Sequence, residues 1–255
     1  MSLRDGFVPG TPCWVDVSVP DTDAAARFYD GLLGWRAGFD AGPESGGYGQ
    51  FHLNGKRVAG IGPLMDPSHP PAWTTYIATD DIDATTARVR EAGGQVLVEP
   101  MQVLQAGRLA GYLDREGAYF MAWQPLEHKG AELVNEPGAW SWNELNTRDP
   151  AAAQEFYPKV FGWDAGGDAF YTEWKIDDRT IGGMMPIPPE LPPDVPPHWL
   201  VYFAVDDVDA SAKLAVELGG EQTSPFVDSP AGRLTVLRDP QGAVFALISG
   251  LQERH

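Results

Sequence analysis

Apolar and polar residues alternate over residues 14–19, where valine stands at every second position. This two-residue period predicts a half-buried β-strand. Asp21 follows it, a residue type that favours a helix N-terminus. Over residues 24–33 the apolar residues recur at helical spacing, and Gly34 then ends the predicted helix. The chain is therefore expected to open with a strand followed by a helix.

The next 90 residues predict more strands and a second helix. Residues 48–53 and 57–61 flank Asn54-Gly55, a dipeptide typical of two-residue hairpin turns. The remaining elements repeat the opening order, with a strand over 73–78, a helix over 81–92 and strands over 96–98, 108–113 and 118–123. The first half of the chain therefore predicts two strand-helix-strands modules.

The same pattern returns in the second half of the chain. Residues 21–29, DTDAAARFY, reappear as residues 149–157, DPAAAQEFY, and residues 71–83, PAWTTYIATDDID, reappear as residues 197–209, PHWLVYFAVDDVD. A repeat of this length indicates two copies of one domain. We predict a first domain over residues 10–124, a linker over 125–139 that is rich in Pro, Gly and charge, and a second domain over 140–250.

These blocks resemble the vicinal oxygen chelate superfamily, which includes glyoxalases, bleomycin-resistance proteins and extradiol dioxygenases. The resemblance rests on three features. The first is a strand, and the second is a helix that starts at Asp, contains Phe-Tyr and is followed by Leu-Gly-Trp or Phe-Gly-Trp. The third is a second module that ends in Asp, two further residues and Gly-Ala. The resemblance implies an α+β fold of two tandem domains. Each would consist of two paired βαβββ modules that form a half-barrel cavity.

The resemblance also implies where a divalent metal would be bound, and this chain departs from the family there. The matching positions hold side chains that are poor ligands, namely Trp14, Thr74, Met121, Trp142, Leu200 and Ala246, and the remaining position falls at about Gly60 to Ile61 in the first half and Gly183 to Met184 in the second. A metal centre needs converging imidazole, carboxylate or thiolate donors. We therefore expect no metal and no other cofactor. A metal-dependent lyase or dioxygenase with displaced ligands stays open, recruiting Asp16, Glu144 or His52.

Strand alternation predicts which side chains face the cavities. If Trp14 and Trp142 face inward, then Asp16, Glu144 and Asn146 must share that side. An acid in an apolar cavity tends to have a raised pKa and can act as a general base, so Asp16 and Glu144 are the catalytic candidates. The binding candidates are the remaining cavity residues, namely Trp14, Tyr76, Met121, Trp142, Asn146 and Tyr202.

The composition of the chain limits the kinds of partner and the cellular compartment that we expect. The 255-residue chain has 36 acidic and 18 basic residues and a formal net charge of −18, which disfavours nucleic acid. No apolar run is long enough to span a bilayer, which argues against a membrane protein. The single cysteine, Cys13, permits no intrachain disulfide, so we expect a cytoplasmic protein. The repeat predicts a monomer with an internal pseudo-twofold axis, with a dimer as the alternative.

Together these features predict a protein that binds or converts a hydrophobic, aromatic or polycyclic small molecule without a metal. A drug-sequestering resistance protein, which binds without turnover, is the other alternative that the sequence leaves open.

Overall fold

The computed structural model describes residues 3–39, 42, 45–168 and 170–249, so residue 250 of the predicted second domain lies outside the described residues. The first half forms one sheet in the order β2-β3-β4-β1-β5-β8-β7-β6. Its elements are β1 (Pro12–Val19), α1 (Thr22–Leu33), β2 (Arg36–Phe39), β3 (Gly49–Leu53), β4 (Lys56–Pro63), β5 (Ala72–Ala78), α2 (Ile82–Glu91), β6 (Gln95–Val103), β7 (Gly107–Leu113) and β8 (Tyr119–Pro125).

The second half repeats this sheet in the order β10-β11-β12-β9-β13-β17-β16-β14, with β15 paired to β16. Its elements are β9 (Trp140–Thr147), α3 (Pro150–Phe161), β10 (Asp164–Gly167), β11 (Thr172–Ile176), β12 (Arg179–Pro186), β13 (His198–Ala204), α4 (Val208–Glu217), β14 (Glu221–Gln222), β15 (Val227–Ser229), β16 (Gly232–Arg238) and β17 (Val244–Ser249). The predicted α+β fold with paired modules is confirmed. None of the described helices is long and apolar enough to cross a membrane.

Each module begins in the same way, with a strand that leads into a capped helix. The four N-cap aspartates each accept a hydrogen bond from the backbone N–H three residues further on, which satisfies one otherwise unpaired helix donor. These caps are Asp21, Asp81, Asp149 and Asp207. Gly34 and Gly162 end α1 and α3 at φ 73°, a left-handed conformation that glycine adopts without strain.

The helix-covered faces of the two sheets meet in a shared core through reciprocal contacts. Tyr29 of α1 donates to Asp239 at 3.1 Å, and Tyr157 of α3 donates to Asp114 at 3.0 Å. Trp73 donates to Tyr29 at 2.9 Å, and Trp199 donates in the same way to Tyr157 at 3.0 Å. Such an exchange of equivalent contacts is the pattern of a twofold relation between the halves. It also explains the repeated Asp in the Gly-Ala turns, because that Asp anchors the opposite half.

Candidate functional site

The face of the first sheet away from the helices brings together the residues predicted for its cavity. Trp14 on β1 lies opposite Tyr76 on β5, and Met121 on β8 lies beside Tyr76. Asp16 lies two residues along β1, next to Gly60 of β4. The central position of β1 and β5 in the sheet therefore gathers aromatic and acidic side chains from three strands onto one surface.

A hydrogen-bond network joins these residues through Tyr48, which precedes β3. Trp14 Nε1 donates to the Tyr48 hydroxyl at 3.0 Å, and that hydroxyl donates to Asp16 Oδ2 at 3.1 Å. Tyr76 donates to the same oxygen at 2.7 Å. Asp16 is 5% exposed, and its burial raises its pKa to about 6, against the opposing effect of the two tyrosine hydrogen bonds. The carboxylate is thus buried but supplied with donors.

The second half builds the same network with glutamate in place of aspartate. Trp142 Nε1 donates to the Tyr171 hydroxyl at 3.0 Å, and Tyr202 donates to Glu144 Oε1 at 2.9 Å. Asn146 Nδ2 also donates to this oxygen, at 3.4 Å, and Tyr171 hydrogen-bonds to the same carboxylate. Burial raises the pKa of Glu144 above its ordinary value. The candidate residues of the second half therefore meet at one buried acid.

Tyr48 and Tyr171 are not among the site residues predicted from the sequence. Both stand immediately before the hairpins of their modules, 123 residues apart. Tyr48 lies over Gly60 of β4, and Tyr171 lies over Gly183 of β12. A Cβ at Gly60 would overlap the Tyr48 hydroxyl, and a Cβ at Gly183 would overlap the Tyr171 hydroxyl. The pairing of a tyrosine before one strand with a glycine in the following strand was the signal available in the sequence.

The donor set does not fit a divalent metal. The tyrosine hydroxyls fill the space that a ligand side chain at Gly60 or Gly183 would need. Within the described part of the chain, no group of three or more His, Cys, Asp or Glu residues could hold a metal ion. Asp16, Glu144 and His52 therefore do not form the displaced ligand set that the sequence left open.

The linker residues close one end of the first site. The His128 ring packs edge-on against Trp14 at 4.5 Å between centroids and lies 5.5 Å from Trp123, whose indole N–H donates to the His128 carbonyl at 2.8 Å. His128 is 7% exposed, and burial together with the nearby Arg57 lowers its pKa to about 4. A neutral imidazole therefore covers Trp14 at neutral pH.

The second site has smaller lining residues and a more exposed tryptophan. Val244 and Ala246 take the places that Tyr119 and Met121 hold in the first half, 125 residues earlier. Trp142 is only partly buried, whereas Trp14 is 3% exposed. The two networks are thus alike in their polar groups but differ in the size of the neighbouring side chains and in the exposure of the tryptophan.

Comparisons with known proteins agree with this architecture. The putative glyoxylase CFP32 of Mycobacterium tuberculosis (strain CDC 1551 / Oshkosh) is 42% identical over 260 residues, covering 97% of this chain and 98% of the relative. The anthracycline biosynthesis protein DnrV of Streptomyces peucetius is 41% identical, covering 95% of this chain and 94% of the relative. Both similarities extend across the two halves.

Solved structures share the fold at lower identity. The Mn(II)-bound glyoxalase from Novosphingobium aromaticivorans aligns with a TM-score of 0.67 and 19% identity, covering 96% of this chain and 83% of that one. The 2,3-dioxygenase LapB from Pseudomonas sp. KL28 also aligns with a TM-score of 0.67, at 14% identity, covering 98% and 96%. At these identities the likeness concerns the fold alone.

Family models match each half separately. Residues 13–122 match the model described as the glyoxalase/bleomycin resistance protein/dioxygenase superfamily, and residues 142–248 match a glyoxalase-like domain. The resemblance drawn from the sequence is thereby confirmed: the chain belongs to the glyoxalase, bleomycin resistance protein and dioxygenase superfamily, with one such domain in each half.

Proposed function

We propose that the chain binds a hydrophobic aromatic small molecule in the second half without a metal, and that Glu144 acts on it as a general base. One observation carries this proposal. A buried carboxylate, hydrogen-bonded by Tyr202, Tyr171 and Asn146, lies beside the partly exposed Trp142. Such a site combines an apolar wall with a few convergent polar groups, as small-molecule sites do.

The chemistry follows from the environment of Glu144. Burial raises its pKa, so the ionised carboxylate is a stronger base than an exposed glutamate. It can accept a proton from a phenolic hydroxyl or an activated C–H of a bound ligand. The Tyr202 and Tyr171 hydroxyls stabilise the charged form before transfer and hold the carboxylate in place. No step of this proton transfer requires a Lewis acid.

The apolar lining sets the class of ligand. Leu200, Ala246 and Ile248 form a small apolar cluster with Tyr202, and Trp142 and Val244 pack against it. The relative DnrV is named an anthracycline biosynthesis protein. Anthracyclines contain fused aromatic rings, so this name supports a polycyclic aromatic ligand here.

Two substitutions that exchange residues between the halves test where the ligand binds. The probe is 1,4-dihydroxyanthraquinone, followed by quenching of tryptophan fluorescence and by its visible absorption. Ala246→Met introduces the side chain of Met121 into the second site, and we expect at least tenfold weaker binding because that side chain fills the space. The reverse change, Met121→Ala, is the matched control and should leave affinity unchanged. Equal affinity of Ala246→Met and the unaltered protein would refute the second half as the site.

Glu144→Gln then separates binding from proton transfer. This variant keeps size and polarity, so we expect probe binding to be retained while the ionisation of the bound dihydroxyanthraquinone, visible as a red shift, is lost. Asp16→Asn should change neither reading. Treatment with a chelator should also leave both readings unchanged. If the ionisation persists in Glu144→Gln, the chain binds the probe without using this base, as a drug-sequestering protein would.

A further inference from the structure

A pocket of about 350 Å³ lies where the segment before β1 meets the second half. Arg4 and Phe7 line it from that segment, and Trp140 lines it from β9. Arg179 and Thr180 line it at the start of β12. We call this the basic pocket. It is distinct from the Glu144 network, with which it shares only the residue Trp142.

The basic pocket is lined by positive charge, whereas the protein as a whole has a negative net charge. The chain carries a formal net charge of −18, yet no Asp or Glu lines this pocket within the described part of the chain. Neither Arg4 nor Arg179 forms an ion pair with a described carboxylate, whereas Arg57, Arg108 and Arg233 all do. Arg4 also lines an adjoining pocket with Asp5 and Glu132, but neither arginine is ion-paired with a described carboxylate, so both are able to attract an anion.

The first half shows what the corresponding groove holds. There the linker runs between β1 and β4: the Ala131 N–H donates to the Cys13 carbonyl at 2.9 Å and the Glu132 N–H donates to the Arg57 carbonyl at 2.8 Å. The Glu132 carboxylate accepts hydrogen bonds from the Arg57 backbone N–H at 2.9 Å and from its guanidinium at 3.0 Å. A carboxylate of the chain itself thus occupies this groove.

The repeat relates this filled groove to the basic pocket. On β9 the counterpart of Cys13 is Ser141, 128 residues later, and on β12 the counterpart of Arg57 is Thr180, 123 residues later. Both Ser141 and Thr180 line the basic pocket. Among the described residues, no segment lies in the second groove as Glu132 lies in the first, so the place of a carboxylate is open and flanked by arginines.

We propose that the basic pocket binds a small aromatic carboxylate. Arg179 and Arg4 would hold the carboxylate, since a guanidinium matches its geometry with two parallel donors. The Phe7 and Trp140 rings, 6.2 Å apart between centroids, supply the apolar wall for the aromatic body. This proposal does not depend on Glu144 or on the proposed function.

Calorimetric titration with 1-naphthoate tests the proposal on the full chain. We expect saturable binding that weakens with added salt, and at least tenfold weaker binding of the uncharged 1-naphthalenemethanol. Arg179→Gln and Arg4→Gln should each weaken naphthoate binding about tenfold or more. Arg27→Gln is the matched control, because Arg27 is an exposed arginine of α1 that does not line the pocket, and it should leave the affinity unchanged.

Any of four results would overturn the proposal. The first three are no binding of naphthoate, equal binding of the acid and the alcohol, and equal loss in Arg27→Gln and Arg179→Gln, which would indicate a general effect of charge. Glu144→Gln separates this site from the one proposed above, because it should not alter naphthoate affinity. If Glu144→Gln abolishes naphthoate binding while Arg179→Gln does not, the carboxylate is bound in the Glu144 site and the basic pocket is not its site.

Discussion

Replacing Asp16 by Asn tests whether the carboxylate is held in a site that disfavours its charge. The folded protein raises the pKa of Asp16 from its ordinary value of 3.8 to about 6, mainly through burial. In the unfolded chain the carboxyl ionises near the ordinary value, so the folded state loses stability as the pH rises from about 4 to about 6. At about 1.4 kcal/mol per pH unit, this difference corresponds to ~3 kcal/mol.

Asparagine resembles the protonated acid and cannot ionise. Its side-chain oxygen can accept from both Tyr48 and Tyr76, which donate to one and the same oxygen of Asp16. We therefore expect the free energy of unfolding of Asp16→Asn, relative to the unaltered protein, to rise by ~2–3 kcal/mol between about pH 4 and pH 7.

Urea denaturation at several pH values, followed by tryptophan fluorescence, measures this difference. The comparison between variant and unaltered protein cancels the contribution of the many other carboxylates. Asp80→Asn, at an exposed position, is the control for the loss of a carboxylate that the fold does not bury. A difference that is constant with pH would refute the raised pKa. A difference that falls with rising pH would show that the tyrosine hydrogen bonds outweigh burial.

Three further predictions follow from the same contacts. Gly183→Ala should lower the free energy of unfolding by ~2–4 kcal/mol because the added Cβ overlaps the Tyr171 hydroxyl, and it should cost little in a Tyr171→Ala background. Gly6→Ala, where a Cβ meets no atom within 4 Å, is the control. Additive effects of Gly183→Ala and Tyr171→Ala would contradict the overlap. Tyr157→Phe should lower the free energy of unfolding, measured by urea denaturation, by ~2–4 kcal/mol because buried Asp114 loses a hydrogen-bond donor. A loss below ~1 kcal/mol would contradict this prediction. Elemental analysis should find no stoichiometric metal, and metal that resists chelation would contradict this.

The reciprocal contacts explain how one repeat yields two different sites. Tyr29 and Tyr157 tie each half to the other through Asp239 and Asp114, so both halves keep the same framework. The chain between the halves breaks this equivalence, because His128 closes the first site while the second lies beside the basic pocket. The same repeated framework therefore surrounds its two buried acids with different neighbours.

Much of the fold could be read from local patterns. The aspartate caps, the glycine helix ends and the two-residue strand period each act within a few residues, so the sequence alone predicted the helices, most of the strands and the paired modules. The alternation along β1 and β9 also placed Asp16 and Glu144 on the same face as their tryptophans, as the structure has them. The Asn-Gly turn likewise set the β3–β4 hairpin at its predicted place.

Other features depend on contacts between distant parts of the chain, which no local period encodes. Tyr48 lies 32 residues from Asp16 in sequence, and Tyr29 lies 210 residues from Asp239. Only the folded sheets bring the hydroxyls over Gly60 and Gly183, and only the path of the linker decides that His128 covers one tryptophan. The sequence by itself thus determined most of the elements and which residues share a face. The tertiary structure decided which donors meet each buried acid and which side chains cover each tryptophan, because burial and hydrogen bonding depend on distances in space.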